Sequence, residues 1–258
     1  MPVKPDFVRV EREEALAWVT LDRPPLNLIV PEMVEGIRVT FEALRRDSTV
    51  RAAVITGAGR ATTGGMQLQV LRELTPGSAK TFIASLHEAI NLVHEAPFPT
   101  VCMINGACLG AGFELAMACD LRTAAAGALM GLPEIRVGIP SVIEAALLPG
   151  VVGPGRAAEM LLTGESVTAD QALLWGLVNR VVPPAELRAS TAELVGKILA
   201  CAPTAVRLQK ELIVRWRSTD LRTAVEYGVN AFAQSFATGE PREAMDAYLA
   251  KRRPRFAP

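Results

Sequence analysis

Histidine is nearly missing: His87 and His94 are the only two, seven positions apart. That spacing suits one face of a helix but leaves a zinc site short of ligands, and both read as surface or core residues. An excess of either charge is missing too. Lys+Arg and Asp+Glu are 27 each, so there is no electrostatic case for nucleic acid or an anionic membrane surface as a partner. Cysteine is sparse: Cys102, Cys108, Cys119 and Cys201 form no C-x-x-C pair. They read as reduced, mostly buried thiols of a cytoplasmic protein. Residues 1–10 carry Lys4, Asp6 and Arg9 and no apolar h-region, so no signal peptide is expected. A long hydrophobic run is absent as well. The uncharged stretch from Ala96 to Phe113 reaches eighteen residues, but Pro97, Pro99, Asn105 and three glycines interrupt it. It reads as a buried strand, a turn and a helix start, not a membrane span.

What is present is ample material for a core. Half of the 258 residues are hydrophobic and 21% are charged, with no low-complexity tract. That fits one large domain, or a domain plus an appendage, and argues against disorder. Val8–Glu11 and Ala15–Leu21 read as two strands joined by a charged turn, after which Pro24-Pro25 breaks the pattern. From Pro31 to Arg46 apolar residues recur near helical spacing, with the proline tolerated in the first turn. Ala52–Thr56 is a short apolar strand, Ser78–Glu95 a helix, and Thr100–Ile104 another buried strand. Alternating strands and helices point to the α/β class with parallel pairings. From about Pro184 the strands stop. Glu186–Ala200, Pro203–Arg217, Leu221–Ala237 and Arg242–Lys251 all read as amphipathic helices, a section packed on the core or on a neighbouring subunit. The basic ending Lys251-Arg252-Arg253 with Arg255 reads either as a solvated tail or as a contact for a phosphorylated ligand.

Two glycine-rich turns stand out. Gly57-Ala58-Gly59 with Gly64-Gly65-Met66 follows one strand, and Gly110-Ala111-Gly112 opens a helix. Such turns can leave backbone N–H groups unpaired, ready for an anion or a polarised carbonyl, or they can serve tight packing alone. Two N–H groups converging from separate turns are the parts of an oxyanion hole. The dinucleotide fingerprint fails, because Thr62 stands where the third glycine belongs, and no Gly-Lys-Ser/Thr supplies a phosphate loop. Glu114 and Glu134 lie twenty residues apart, each beside a glycine- or proline-marked turn. Low-dielectric surroundings can split the pKa values of such a pair into an acid and a base.

The blocks Ile55–Leu68, Ile104–Asp120, Pro133–Pro140, Leu161–Glu165, Ala172–Asn179 and Lys251–Phe256 resemble, in order, those of the crotonase (enoyl-CoA hydratase/isomerase) superfamily. The resemblance spans nearly the whole chain. It implies a spiral of ββα units with a helical C-terminal section, divided here as residues 1–195 and 196–258. It also implies assembly as a homotrimer or dimer of trimers. The implied substrate is an acyl-coenzyme A thioester, with coenzyme A carried by the substrate and no permanently bound cofactor. Backbone N–H groups of Met66 and Ala111 take the part of oxyanion donors, and Glu114 and Glu134 that of catalytic carboxylates. Leu26, Leu28, Gly64, Gly65, Gln67, Leu68, Gly110, Pro133, Gly138 and Lys251 take the part of substrate and coenzyme A contacts.

Several positions depart from the family pattern. Gln67 replaces the usual Asp, removing a carboxylate that commonly ties down its loop. Met66 replaces a small residue and can narrow the acyl pocket. Thr62 and Thr63 replace an aromatic-plus-small pair, and Gly64-Gly65 adds flexibility. After Pro140 the chain reads Ser141–Leu148 where glycines are usual, which places Glu144 as a third carboxylate near the site on a helix, either a salt-bridge partner or a sign of altered chemistry. The leading expectation is an enoyl-CoA hydratase. Alternatives are an enoyl-CoA double-bond isomerase, which can run on one glutamate, and a non-catalytic acyl-CoA binder. A serine hydrolase is disfavoured, since Ser141 and Ser166 lack a G-x-S-x-G context.

Overall fold

The computed structural model describes residues 7–256; the part of the signal-peptide reading that rests on Lys4 and Asp6 lies outside them. The chain opens with strands β1 (Val8–Glu13) and β2 (Leu16–Leu21) and helix α1 (Pro31–Arg46). Next come β3 (Ala52–Gly57), β4 (Ala61–Thr63), the short α2 (Leu68–Arg72) and the long α3 (Pro76–His94). A third unit has β5 (Thr100–Ile104), β6 (Ala107–Leu109) and α4 (Ala111–Ala118), and a fourth begins with β7 (Leu121–Ala125) and β8 (Leu129–Gly131). Two 3-10 turns, Pro133–Val137 and Ile143–Leu147, lead into α5 (Leu148–Val152) and α6 (Pro154–Thr163). β9 (Val167–Thr168), α7 (Ala169–Leu174) and β10 (Arg180–Val182) end the strand region. α8 (Leu187–Leu199), α9 (Pro203–Trp216), α10 (Leu221–Ser235) and α11 (Glu240–Leu249) complete the described chain.

The first strand of each later unit enters one sheet and the second enters another. The larger sheet runs β1-β2-β3-β5-β7-β10, parallel except for the β1–β2 pair; the smaller runs β4-β6-β8-β9, with only β9 antiparallel. Every residue of β3 and β5 is buried, as the continuous apolar runs of a parallel sheet covered on both faces require. Trp18, Val54, Val101 and Met103 cluster with Leu187 and Val195 of α8. Their strand neighbours Val19, Ile55, Cys102 and Ile104 join Ile37 and Phe41 of α1 and Leu86 and Ile90 of α3. The strict alternation is the period-2 rule of a strand.

Local chemistry explains the element ends. α1 has Pro31 at its start, Glu32 in the first turn and Arg45 and Arg46 in the last, each suited to the helix dipole. α3 begins at Pro76, two residues before the expected Ser78, because the Thr75 side chain caps it and accepts the Ser78 N–H. Two asparagine amides, one buried and one partly buried, lace the spiral's corners. Asn27 Nδ2 donates to the carbonyls of Ala58 (2.9 Å) and Ala61 (2.8 Å), and Asn105 Nδ2 to those of Gly57 and Gly59 (both 2.9 Å).

The four C-terminal helices fall where the sequence places them. α8 is one continuous helix covering a sheet face, so a boundary after residue 195 falls inside it. α9 is anchored by a buried ion pair, Lys210 Nζ to Asp120 Oδ1 at 2.6 Å. By contrast α10 has no fully buried residue. Cys102, Cys108 and Cys119 are buried and Cys201 is exposed, all as free thiols. No helix among the described residues is long and apolar enough to cross a membrane.

Candidate active site

The site lies where the two glycine turns meet at the ends of neighbouring strands. After β4, the Ile29 N–H donates to Gly65 O (2.9 Å) and the Gln67 N–H to Ile29 O (3.0 Å). This bridge uses the groups on either side of Met66 and leaves the Met66 N–H with no acceptor among the described residues. After β6, Ala111 is the first residue of α4, so its N–H has no partner within the helix. The turns abut closely. A Cβ on Gly65 (φ +89°) would stand 2.9 Å from Leu109 O, and one on Gly110 (φ +55°) 2.5 Å from Glu134 Oε1. Both positions therefore need glycine, for their left-handed backbone and for the space.

In front of the turns is a cavity of about 430 Å³. Of the expected contacts it is lined by Leu28, Gly64, Gly65, Leu68, Gly110 and Pro133, together with Met66 and Glu134. Others are placed elsewhere. Leu26 supports the loop from outside, its carbonyl accepting the Gly64 N–H at 2.8 Å. Gln67 turns away, because its Oε1 accepts from Arg23 Nη2 at 2.6 Å; a neutral amide thus ties down the loop in place of the family's carboxylate. Gly138 is a left-handed cap ending the 3-10 turn Pro133–Val137 and does not line the cavity. Lys251 is exposed beyond α11 and is not brought to the cavity either. The sequence reading missed Gln69, Leu71, Arg136, Val137 and Ile139, which complete the wall. The alternation Leu-Pro-Glu-Ile-Arg-Val-Gly-Ile after β8 carries no signal of which side faces the cavity. A second cavity, of about 360 Å³ and lined by Arg45, Glu95, Lys210 and Arg215 among others, contains neither glycine turn and neither Glu114 nor Glu134.

Glu134 stands partly buried in the cavity wall, and Ser141 Oγ donates to its Oε2 at 2.8 Å. Ser141 was passed over in the sequence, where its only reading was as a nucleophile. Glu114, in the first turn of α4, is 3% exposed and does not itself line the cavity. Its Oε1 accepts the Ala145 N–H at 3.3 Å. Burial, then the charge on Glu134, pushes the Glu114 carboxyl up from 4.5 to about 8. Glu144 sits in the 3-10 turn Ile143–Leu147, not on an α-helix, and is also buried. His87 Nδ1 on α3 lies 2.6 Å from Glu144 Oε1. Burial raises the Glu144 carboxyl and the His87 hydrogen bond opposes that rise. The arrangement therefore offers the Met66 N–H and Glu134 at the wall of a mainly apolar cavity, with Ala111 at the start of α4 and the buried Glu114 carboxyl, pushed up to about 8, just behind that wall and not lining it.

A family model described as enoyl-CoA hydratase/isomerase matches residues 11–258. The chain belongs to that family. This hydratase/isomerase family member is 35% identical to a crotonyl-CoA hydratase of Syntrophomonas wolfei, over 96% of each chain. It is 33% identical to a short-chain-enoyl-CoA hydratase of Clostridium acetobutylicum, over 95% of each. Among solved structures, an enoyl-CoA hydratase from Bacillus anthracis superposes with a TM-score of 0.93 at 29% identity, covering 97% of this chain and 98% of that one. The fold is thus the crotonase spiral with its helical C-terminal section.

Proposed function

We propose that this family member is an enoyl-CoA hydratase acting on a 2-enoyl-CoA thioester. The observation that carries the reading is the buried Glu114, holding a proton up to about pH 8 beside Glu134, next to two abutting turns with free N–H groups. Hydration places negative charge on the thioester oxygen as water attacks the β-carbon. The Met66 and Ala111 N–H groups stabilise that enolate, each such donor being worth roughly 3–4 kcal/mol of barrier. Glu114 takes one proton from the water, its hydroxyl joins the β-carbon, and Glu134 delivers a proton to the α-carbon. The pair ends with its shared proton moved from Glu134 to Glu114. The resting proton on Glu114 is therefore the arrangement from which dehydration starts, and hydration begins once that proton sits on Glu134.

Coenzyme A enters as part of the substrate, with no resident cofactor in these steps. The crotonyl-CoA and short-chain-enoyl-CoA hydratases among the relatives make crotonyl-CoA the first substrate to test. Purified protein is expected to bleach the enone absorbance of crotonyl-CoA or of a longer enoyl-CoA. Binding of the esters with no hydration at any chain length would leave the acyl-CoA binder in its place.

Isomerisation is the second reading, and one observation favours it: of the two glutamates only Glu134 lines the cavity. Full turnover in Glu114→Gln with none in Glu134→Gln would establish it over hydration. We also propose a cytoplasmic homotrimer or dimer of trimers, with residues 196–258 supplying the contacts. Leu221, Val229 and Phe232 of α10 are 80%, 65% and 70% exposed, an apolar face that a second copy would cover. Light scattering that finds a monomer would remove this part.

A further inference from the structure

The rewritten segment after Pro140 carries a buried carboxylate that the two-glutamate chemistry does not use. Glu144 is 6% exposed, and its Oε2 is buried with no hydrogen-bond partner. The next residue, Ala145, gives its N–H to Glu114 Oε1 at 3.3 Å. One residue of backbone therefore joins the two carboxylates in a region shielded from water. On its other side, Glu144 Oε1 is held by His87 Nδ1 at 2.6 Å, and the His87 side chain is half-exposed. A buried carboxylate with one oxygen left unpartnered is costly unless its charge serves something.

We propose that Glu144 is a positioning residue for the reaction: held at one oxygen by His87 and joined to Glu114 through the Ala145 N–H, it sets a fixed negative charge behind Glu114 that keeps the resting proton there. The proposal rests on the role given above to Glu114. The groups facing this charge are few. The turn Ile143–Leu147 packs against α3, α4 and α5. α4 brings only Glu114, and α5 has no ionisable residue. α3 brings His87; its Lys80 and Glu88 are exposed, and His94 lies at its far end beside the Ala118 carbonyl. Glu134 faces Glu114 from the cavity side. Glu144 is thus a negative neighbour that Glu114 keeps whether or not a substrate fills the cavity. Its effect adds to burial and to Glu134 in raising the Glu114 carboxyl.

The test follows the Glu114 side-chain carboxyl by carbon NMR in the full-length, ligand-free protein, assigned with Glu114→Gln. In the unaltered chain the midpoint is expected near 8. Glu144→Gln removes the charge and is expected to lower that midpoint by on the order of half a pH unit or more. His87→Ala, at a half-exposed position, removes the partner that fixes Glu144 Oε1 and frees the carboxylate to move away from Glu114, so it lowers the midpoint in the same direction by a smaller amount. The double variant shifts no further than Glu144→Gln alone, because both changes act through one charge. A midpoint unmoved in His87→Ala and Glu144→Gln overturns the proposal, as does a double variant whose shift is the sum of the two. The titration needs no turnover. A wild-type chain inactive on every enoyl-CoA would sink the hydratase reading while leaving this readout in force.

Discussion

Glu114 sets a stability test as sharp as any kinetic one. In the folded chain its carboxyl titrates at about 8, against an ordinary value of 4.5. Below 4.5 both folded and unfolded chains hold the proton, and its contribution to stability is fully present. Between 4.5 and about 8 only the unfolded chain ionises, so stability falls as pH rises; above about 8 the loss is complete. Neutral pH lies about 2.5 pH units above the ordinary value, which at about 1.36 kcal/mol per unit makes the cost roughly 3 kcal/mol. Glu114→Gln removes that cost while keeping an acceptor for the Ala145 N–H. The variant is expected to be roughly 3 kcal/mol more stable than the unaltered chain at about pH 7, a rise in Tm of roughly 6–12 °C. The gain shrinks toward zero near 4.5 and grows further up to about 8. Urea and thermal unfolding of both proteins across that range measure it directly. A difference that does not change with pH, or a variant that is the weaker protein at neutrality, would refute the reasoning.

Three further outcomes follow from the geometry. Gly110→Ala drives a Cβ to 2.5 Å from Glu134 Oε1 on a left-handed backbone, and is expected to cut kcat about 100-fold or more, as a loss of roughly 2.7 kcal/mol does. Activity within threefold of the parent would mean that Glu134 is not held against that turn. Ser141→Ala strips the donor from Glu134 Oε2 and is expected to lower kcat on the order of 10-fold with KM unchanged, in line with a hydrogen bond to a charged group; a pure KM effect would contradict a role in orienting the carboxylate. Met66→Ala removes a side chain from the cavity wall and should shift preference toward longer enoyl-CoAs by about 10-fold in kcat/KM, measured across a chain-length series.

The parts of this molecule that can be read from its sequence are those that depend on near neighbours. α1 runs over the residues its apolar spacing marks out, and β5 over its short apolar run, because periodicity and turn residues are local properties. The four C-terminal helices were legible for the same reason. The glycine turns were legible as turns, but the left-handed φ of Gly65 and Gly110 acquires its purpose only where the two abut. Contacts between distant side chains were not legible. Gln67 finds Arg23 forty-four residues away, and Glu144 finds His87 at a separation of fifty-seven. Nothing local selects either partner; the winding of the spiral does. The same limit applies to Gly138 and Lys251, whose motifs were recognisable but whose position relative to the cavity, which neither lines, depends on packing.

The Met66 and Ala111 N–H groups ride just beyond β4 and β6, which are adjacent parallel strands of the smaller sheet. The pairing of those strands, ~4.8 Å apart as in any sheet, is what carries the two turns to the same edge. The loop that carries Met66 is also held by side chains, Gln67 through Arg23 and Thr62 through Asn105, so an exchange at either position reaches the donor as well as the cavity wall.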